Sequence, residues 1–267
     1  MKSILQVLLI GFLLSGIVGA QTESAVFLEN GKTKLEKSDF KEAINDFTIA
    51  FKLDSGLTEA LLYRGIALTH FSVISKTEKR YEEAISDFSK AIEMKPNYAE
   101  AYCKRGITYS IIGKTENALA DFIKAVEIKP DYTEAYYEIG LGFLNTGDAE
   151  TAATEFSKAL DIEKNYYPAL VGRSSAYIKL SRYKESLADI NSAIELKNYL
   201  ADYIKRAEIK ELLNDYRGAV KDYTKAIEVD PDNAPFYYEL RGKVKEKTND
   251  INGAIKDYSQ AASGNLS

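Results

Sequence analysis

The sequence predicts an all-α solenoid of stacked antiparallel helix pairs, and three observations predict it. One unit recurs in register from Ser24 almost to the end of the chain. Each copy holds two runs of small and apolar residues at helical spacing, and turn-forming residues follow the runs. The clearest copy is residues 99–132, AEAYCKRGITYSIIGKTENALADFIKAVEIKPDY. Counting Ala99 as position 1, its first half places Tyr102, Arg105, Gly106 and Tyr109 at 4, 7, 8 and 11, along one helical face. Its second half places Ala118, Phe122 and Ala125 at 20, 24 and 27, along another. Small residues at 8 and 20 let two helix axes approach, and the ring at 24 fills the space beside them. Pro130 at 32 cannot continue the second helix. One such pair cannot bury its apolar faces alone, so neighbouring copies must stack.

The copies run over 24–57, 58–98, 99–132, 133–166, 167–199, 200–234 and 235–264. Their triads at positions 20, 24 and 27 begin with Ala43, Phe47, Ala50 and end with Ala254, Tyr258, Ala261. This spacing resembles the tetratricopeptide repeat, a helix–turn–helix unit of about 34 residues. The resemblance implies a right-handed superhelical solenoid, residues 21–267 forming a single elongated array, and a role in binding other proteins. Departures are local. Position 4 is never Trp, position 8 is Ser174 or Ala207 in two copies, position 24 is Ile190 in the fifth, and Pro at 32 occurs only as Pro96, Pro130 and Pro231.

In chain order, residues 1–20, MKSILQVLLIGFLLSGIVGA, come first and read as a signal peptide: Lys2, an apolar core from Ile4 to Leu14, then Val18 and Ala20 at the places a signal peptidase reads. Cleavage after Ala20 is expected, with export to a periplasm or a secretory route and no membrane span left in the mature chain. Copy one has Asn30 where copy three has Arg, and Ser38 with Asp39 are placed to cap its second helix. Copy two has seven extra residues between its halves, since Gly65 and Ala84 lie 19 apart where Gly106 and Ala118 lie 12 apart. That is close to two helical turns, so either both helices lengthen or a corner protrudes there.

Arg stands at position 7 in five copies, as Arg64, Arg105, Arg173, Arg206 and Arg241. Each of these copies has Asp at position 23: Asp87, Asp121, Asp189, Asp222 and Asp257. A pairing repeated on facing helices reads as an ion pair within each copy, one that fixes helix register. Most of the 19 Tyr fall on packing positions in the same way.

Composition narrows the function. The chain is 45% hydrophobic and 28% charged with a formal net charge of -5, and it shows no basic stripe, so no nucleic-acid partner is expected. A single cysteine, Cys103, forms no internal disulfide, and His70 has no metal-ligand neighbours at suitable spacing. No phosphate loop, nucleophile elbow or acid–base pair stands out, so neither catalysis nor a cofactor or metal is expected. In a stack of such pairs the first helices line the concave face, and positions 5, 9 and 12 point into it. The expected partner-binding groove is Leu62, Ile66, Cys103, Ile107, Tyr137, Leu141, Leu144, Val171 and Ile178, rimmed by Glu59, Glu100 and Glu134. Copies six and seven put Glu208, Glu211, Glu239 and Glu246 on this surface instead. The expected function is a scaffold that holds an apolar or amphipathic segment of a protein or peptide partner. Two alternatives stay open: a glycan or small-molecule binder using groove tyrosines such as Tyr137, and a self-assembling structural subunit, that is, a homo-oligomer.

Overall fold

The computed structural model describes residue 19 and residues 21–264. The expected signal peptide and its cleavage point lie outside the described residues apart from Gly19. Fourteen α-helices and one 3-10 turn make up the described chain, which contains no strand. Two units divide it, one ending at Asp131 and the other beginning at Tyr132. The first unit holds α1 (21–36), α2 (Phe40–Leu53), α3 (Thr58–Ser75), α4 (Glu78–Met94), α5 (Ala99–Ile111) and α6 (Thr115–Ile128). The second holds α7 (Thr133–Thr146), α8 (Ala149–Ile162), α9 (Tyr167–Lys179), α10 (Tyr183–Lys197), α11 (Leu200–Leu212), α12 (Tyr216–Val229), the 3-10 turn Pro231–Asn233, α13 (Ala234–Lys247) and α14 (Ile251–Gly264). Odd-numbered helices are the first halves of the seven copies and even-numbered helices the second.

The extra residues of copy two lengthen both of its helices, to 18 and 17 residues against 13 and 14 in copy three. Between the two helices of every copy one residue adopts positive φ. Gly supplies it twice, at Gly113 (76°) and Gly147 (95°), and Ser38, Lys76, Ser181, Asn214 and Asn249 adopt it elsewhere. Ser38 is therefore part of the turn. Asp39 takes the N-cap position without a side-chain cap bond, whereas Asp148 and Asp215 accept from the backbone N–H groups of Thr151 and Gly218.

Packing inside each copy follows the triads. Phe47, Phe88, Phe122 and Phe156 are fully or almost fully buried beside the glycine at position 8. A Cβ on Gly106 would stand 2.6 Å from the Phe122 ring, so only Gly permits that approach. Copy five departs at all three contact positions, and the departures compensate one another. Ser174 replaces Gly, Ile190 replaces Phe and Ser186 replaces Ala, and the two buried hydroxyls bond at 2.8 Å while Ser186 donates to the Ser174 carbonyl. In copy six Ala207 meets Tyr223, whose hydroxyl donates to Glu211.

All five Arg–Asp pairs form as expected, each as a two-pronged fork. Arg105 donates Nε to Asp121 Oδ2 at 2.8 Å and Nη2 to Oδ1 at 2.7 Å. The same two bonds join Arg64 to Asp87, Arg173 to Asp189, Arg206 to Asp222 and Arg241 to Asp257. Each arginine has a third bond as well. Nη1 donates backwards to position 25 of the preceding copy: Thr48, Ser89, Ser157, Asn191 and Thr224 in turn. One guanidinium thus ties the two helices of its own copy and the second helix of the copy before. Copy one lacks the Arg, and Lys34 at position 11 pairs with Asp46 in its place. Copy four has the buried Ile139 at position 7, and its Glu155 pairs with Lys158.

Candidate partner-binding face

Within each unit the first helices lie side by side and their side chains bridge them. In the first unit Lys32 of α1 donates to Glu59 of α3 at 2.6 Å, and the hydroxyls of Thr69 and Thr108 join α3 to α5 at 3.0 Å. In the second, Lys179 of α9 donates to the Leu144 carbonyl of α7, Lys205 of α11 to Ser175 of α9, and Lys247 of α13 to Glu211 of α11.

This close approach corrects part of the expected groove. Leu62 and Cys103 are 0% exposed and Leu144 is 8% exposed. The three side chains therefore belong to the core and offer no surface. Ile66 and Ile107 remain half-buried in the first unit, as do Tyr137, Leu141, Val171 and Ile178 in the second. The Tyr137 ring lies 5.8 Å from Phe156 and meets Tyr166 edge-on at 5.9 Å. Burial, with the charge of Glu138, pushes the Tyr137 hydroxyl up, and burial with nearby Glu134 pushes Tyr166 up to about 12. Both hydroxyls are therefore neutral donors at any ordinary pH.

The charged stretch expected in copies six and seven is present but largely paired within the chain. Glu211 accepts from Tyr223 and Lys247, and Glu239 pairs with Lys243 at 2.6 Å. One residue of this region had no signal in the repeat pattern except its oddity. Position 3 is a fully buried alanine in four copies, Ala60, Ala101, Ala135 and Ala169, but Asp202 in copy six. Asp202 is 2% exposed, and both of its oxygens accept from the Tyr167 hydroxyl, at 2.9 and 3.0 Å. Burial pushes its carboxyl up, and the Tyr167 bonds and the charge of Lys205 offset only part of that. Tyr199 packs edge-on against Tyr167, and the Lys197 ammonium lies over both rings.

Models of one repeat family match much of the chain. A model described as TPR repeat matches residues 78–110, and models described as tetratricopeptide repeat match 99–132, 133–166, 167–199 and 203–233. The chain carries tetratricopeptide repeats. Solved structures with the same fold include Pseudomonas aeruginosa PilF, with a TM-score of 0.69 at 14% identity over 80% of this chain and 94% of that one. The type IV pilus biogenesis factor PilW follows, at 0.68 and 17% identity over 78% and 94%. A tetratricopeptide repeat protein of Parabacteroides merdae gives 0.57 and 22% over 91% and 93%. These identities show the fold alone. RNA polymerase II-associated protein 3 of Xenopus tropicalis is 39% identical over 70 residues, 26% of this chain and 11% of the relative. A DnaJ homolog subfamily C member 7 homolog of Dictyostelium discoideum is 39% identical over 62 residues, 23% and 12% respectively. The matched stretches are thus about one-tenth of those relatives' lengths. Among the described residues of this tetratricopeptide repeat protein, no helix is long and apolar enough to cross a membrane, and no cluster of metal-ligating side chains is present.

Proposed function

We propose that this chain is a non-catalytic protein-interaction scaffold, as tetratricopeptide repeat proteins are, and that its second unit holds an apolar or amphipathic segment of a protein partner across α7 and α9. The observation that carries the proposal is the stripe of Tyr137, Leu141, Val171 and Ile178, half-buried and bordered by Glu134 and Glu138. Apolar side chains give area to bury, and the flanking acids favour a segment with positive charge at its margins. Leu141→Glu with Ile178→Glu is expected to cut partner recovery in affinity purification at least tenfold while circular dichroism stays unchanged. Undiminished recovery by the folded variant would place the partner elsewhere.

We also propose that the mature protein is exported, on the charge and apolar pattern of residues 1–20. The intact mass of the mature chain is then expected to begin at Gln21; a mature chain that retains Met1 would show otherwise.

A further inference from the structure

A cavity of about 310 Å³ opens between α2, α3 and α4 in the first unit. Ile44 and Leu68 form its apolar side, and Thr48, Arg64, Arg80 and Ser86 its polar side. The reason for its existence is visible in the repeat register. Around each arginine at position 7 stand the residues at positions 4 and 11, and in four copies at least one of them lays a ring over the guanidinium. Tyr102 and Tyr109 lie 5.6 and 5.9 Å from Arg105, and Tyr177 lies 5.8 Å from Arg173. Tyr203 and Tyr238 each lie 5.2 Å from Arg206 and Arg241. Arg64 alone has leucine at both places, Leu61 and Leu68. Leu61 is fully buried, Leu68 lines the cavity, and no described ring lies over Arg64.

We propose that this cavity is a docking pocket for a tyrosine side chain of a protein partner, which supplies from outside the ring that copies three and five supply from position 11. The proposal rests on the scaffold role and adds a second contact to it. A ring over the open side of Arg64 gains the attraction between guanidinium and π-face that the other copies already use. Ile44 and Leu68 would hold its edges. Arg64 is neutralised by Asp87 and Arg80 by Glu83, each at 2.7 Å, so the pocket has no net charge and favours a neutral ring over an ionic guest. Its polar rim favours Tyr over Phe: the Ser86 hydroxyl has no partner among the described residues, and Arg80 keeps N–H groups beyond the one given to Glu83. One feature favours a single side chain over a larger free molecule: the volume is at the lower end of the range for ligand pockets, about 300 to 1,000 Å³.

The test titrates N-acetyl-L-tyrosinamide into the full chain while proton–nitrogen correlation spectra are recorded. Saturable shifts are expected at the amides of Thr48, Leu68 and Ser86, with none from N-acetyl-L-leucinamide. Leu68→Tyr places the ring of copies three and five in the cavity; it is expected to melt no lower than the parent and to abolish the response. Should Leu68→Tyr fail to fold, Ser86→Phe blocks the mouth from an exposed position. The pocket is overturned if the parent gives no saturable response, if leucinamide shifts the same amides equally, or if the response persists in a folded blocked variant. A tyrosinamide response combined with full partner recovery by the blocked variant would overturn the protein tyrosine in favour of a free aromatic molecule. If the parent recovers its partner but ignores tyrosinamide, the pocket falls and the scaffold role stands.

Discussion

Asp257 and Asp202 are both buried carboxylates of the second unit, 1% and 2% exposed, and they are satisfied in opposite ways. Asp257 stands on a repeat position and receives Arg241 through two bonds, with the Lys245 ammonium 2.8 Å from Oδ2. Burial would push its carboxyl up, but the bonds and charges of these two cations more than offset this and hold it below the usual carboxylate range. Asp202 stands where four other copies have alanine, accepts side-chain bonds only from the neutral Tyr167 hydroxyl among the described residues, and is pushed up by burial. An aspartate at position 23 thus comes with its cation built in at position 7 or 11. Off the register, a carboxylate is a local expense that folding alone does not explain.

The largest effect should come from breaking the register pairing. Arg173→Ala leaves Asp189 with no cation in contact and its side chain 8% exposed, and is expected to cost about 3 kcal/mol in urea unfolding. Adding Asp189→Ala should recover part of the loss, with a coupling of at least about 0.5 kcal/mol. Strict additivity would remove the contrast between the two kinds of carboxylate.

A smaller effect sharpens the comparison through pH. Asp257 has a lowered folded pKa, so its contribution is present above the ordinary carboxylate value, about 4, and is lost as pH falls through the folded value. Asp202 has a raised folded pKa, so its contribution is present below about 4 and is lost as pH rises through the folded value. Asp202→Asn is therefore expected to raise the melting temperature at pH 7 by about 2 °C and to give no gain at pH 3. Asp257→Asn should lower it at pH 7, with the deficit shrinking in acid. A loss at pH 7 for Asp202→Asn would show that the charge itself serves the fold.

Much of this was legible in the chain. The helix pairs, the triads and the five Arg–Asp pairs were all readable because each contact recurs at a constant separation. The third arginine bond was readable too, though only with two copies compared at once: Thr48, Ser89, Ser157, Asn191 and Thr224 each stand at position 25 before a copy that has Arg at 7. Where the third copy has Ile123 at 25, the fourth has Ile139 at 7. Lys34, Lys210 and Lys245 were hidden differently. Position 11 is Tyr in copies three and five, and either residue type can stand beside the same fork.

Periodicity assigned the helices, their partner helices and the five Arg–Asp pairs, because those contacts lie within one copy at a fixed offset. It did not reveal that Leu62, Cys103 and Leu144 are covered while Tyr137 and Leu141 are not. Nor did it show that Arg64 faces a cavity or that Asp202 relies on a tyrosine. These outcomes depend on how closely neighbouring helices approach and on the size of the side chains between them. Side-chain volumes summed over two or three helices set that distance, and a repeat pattern carries no term for it.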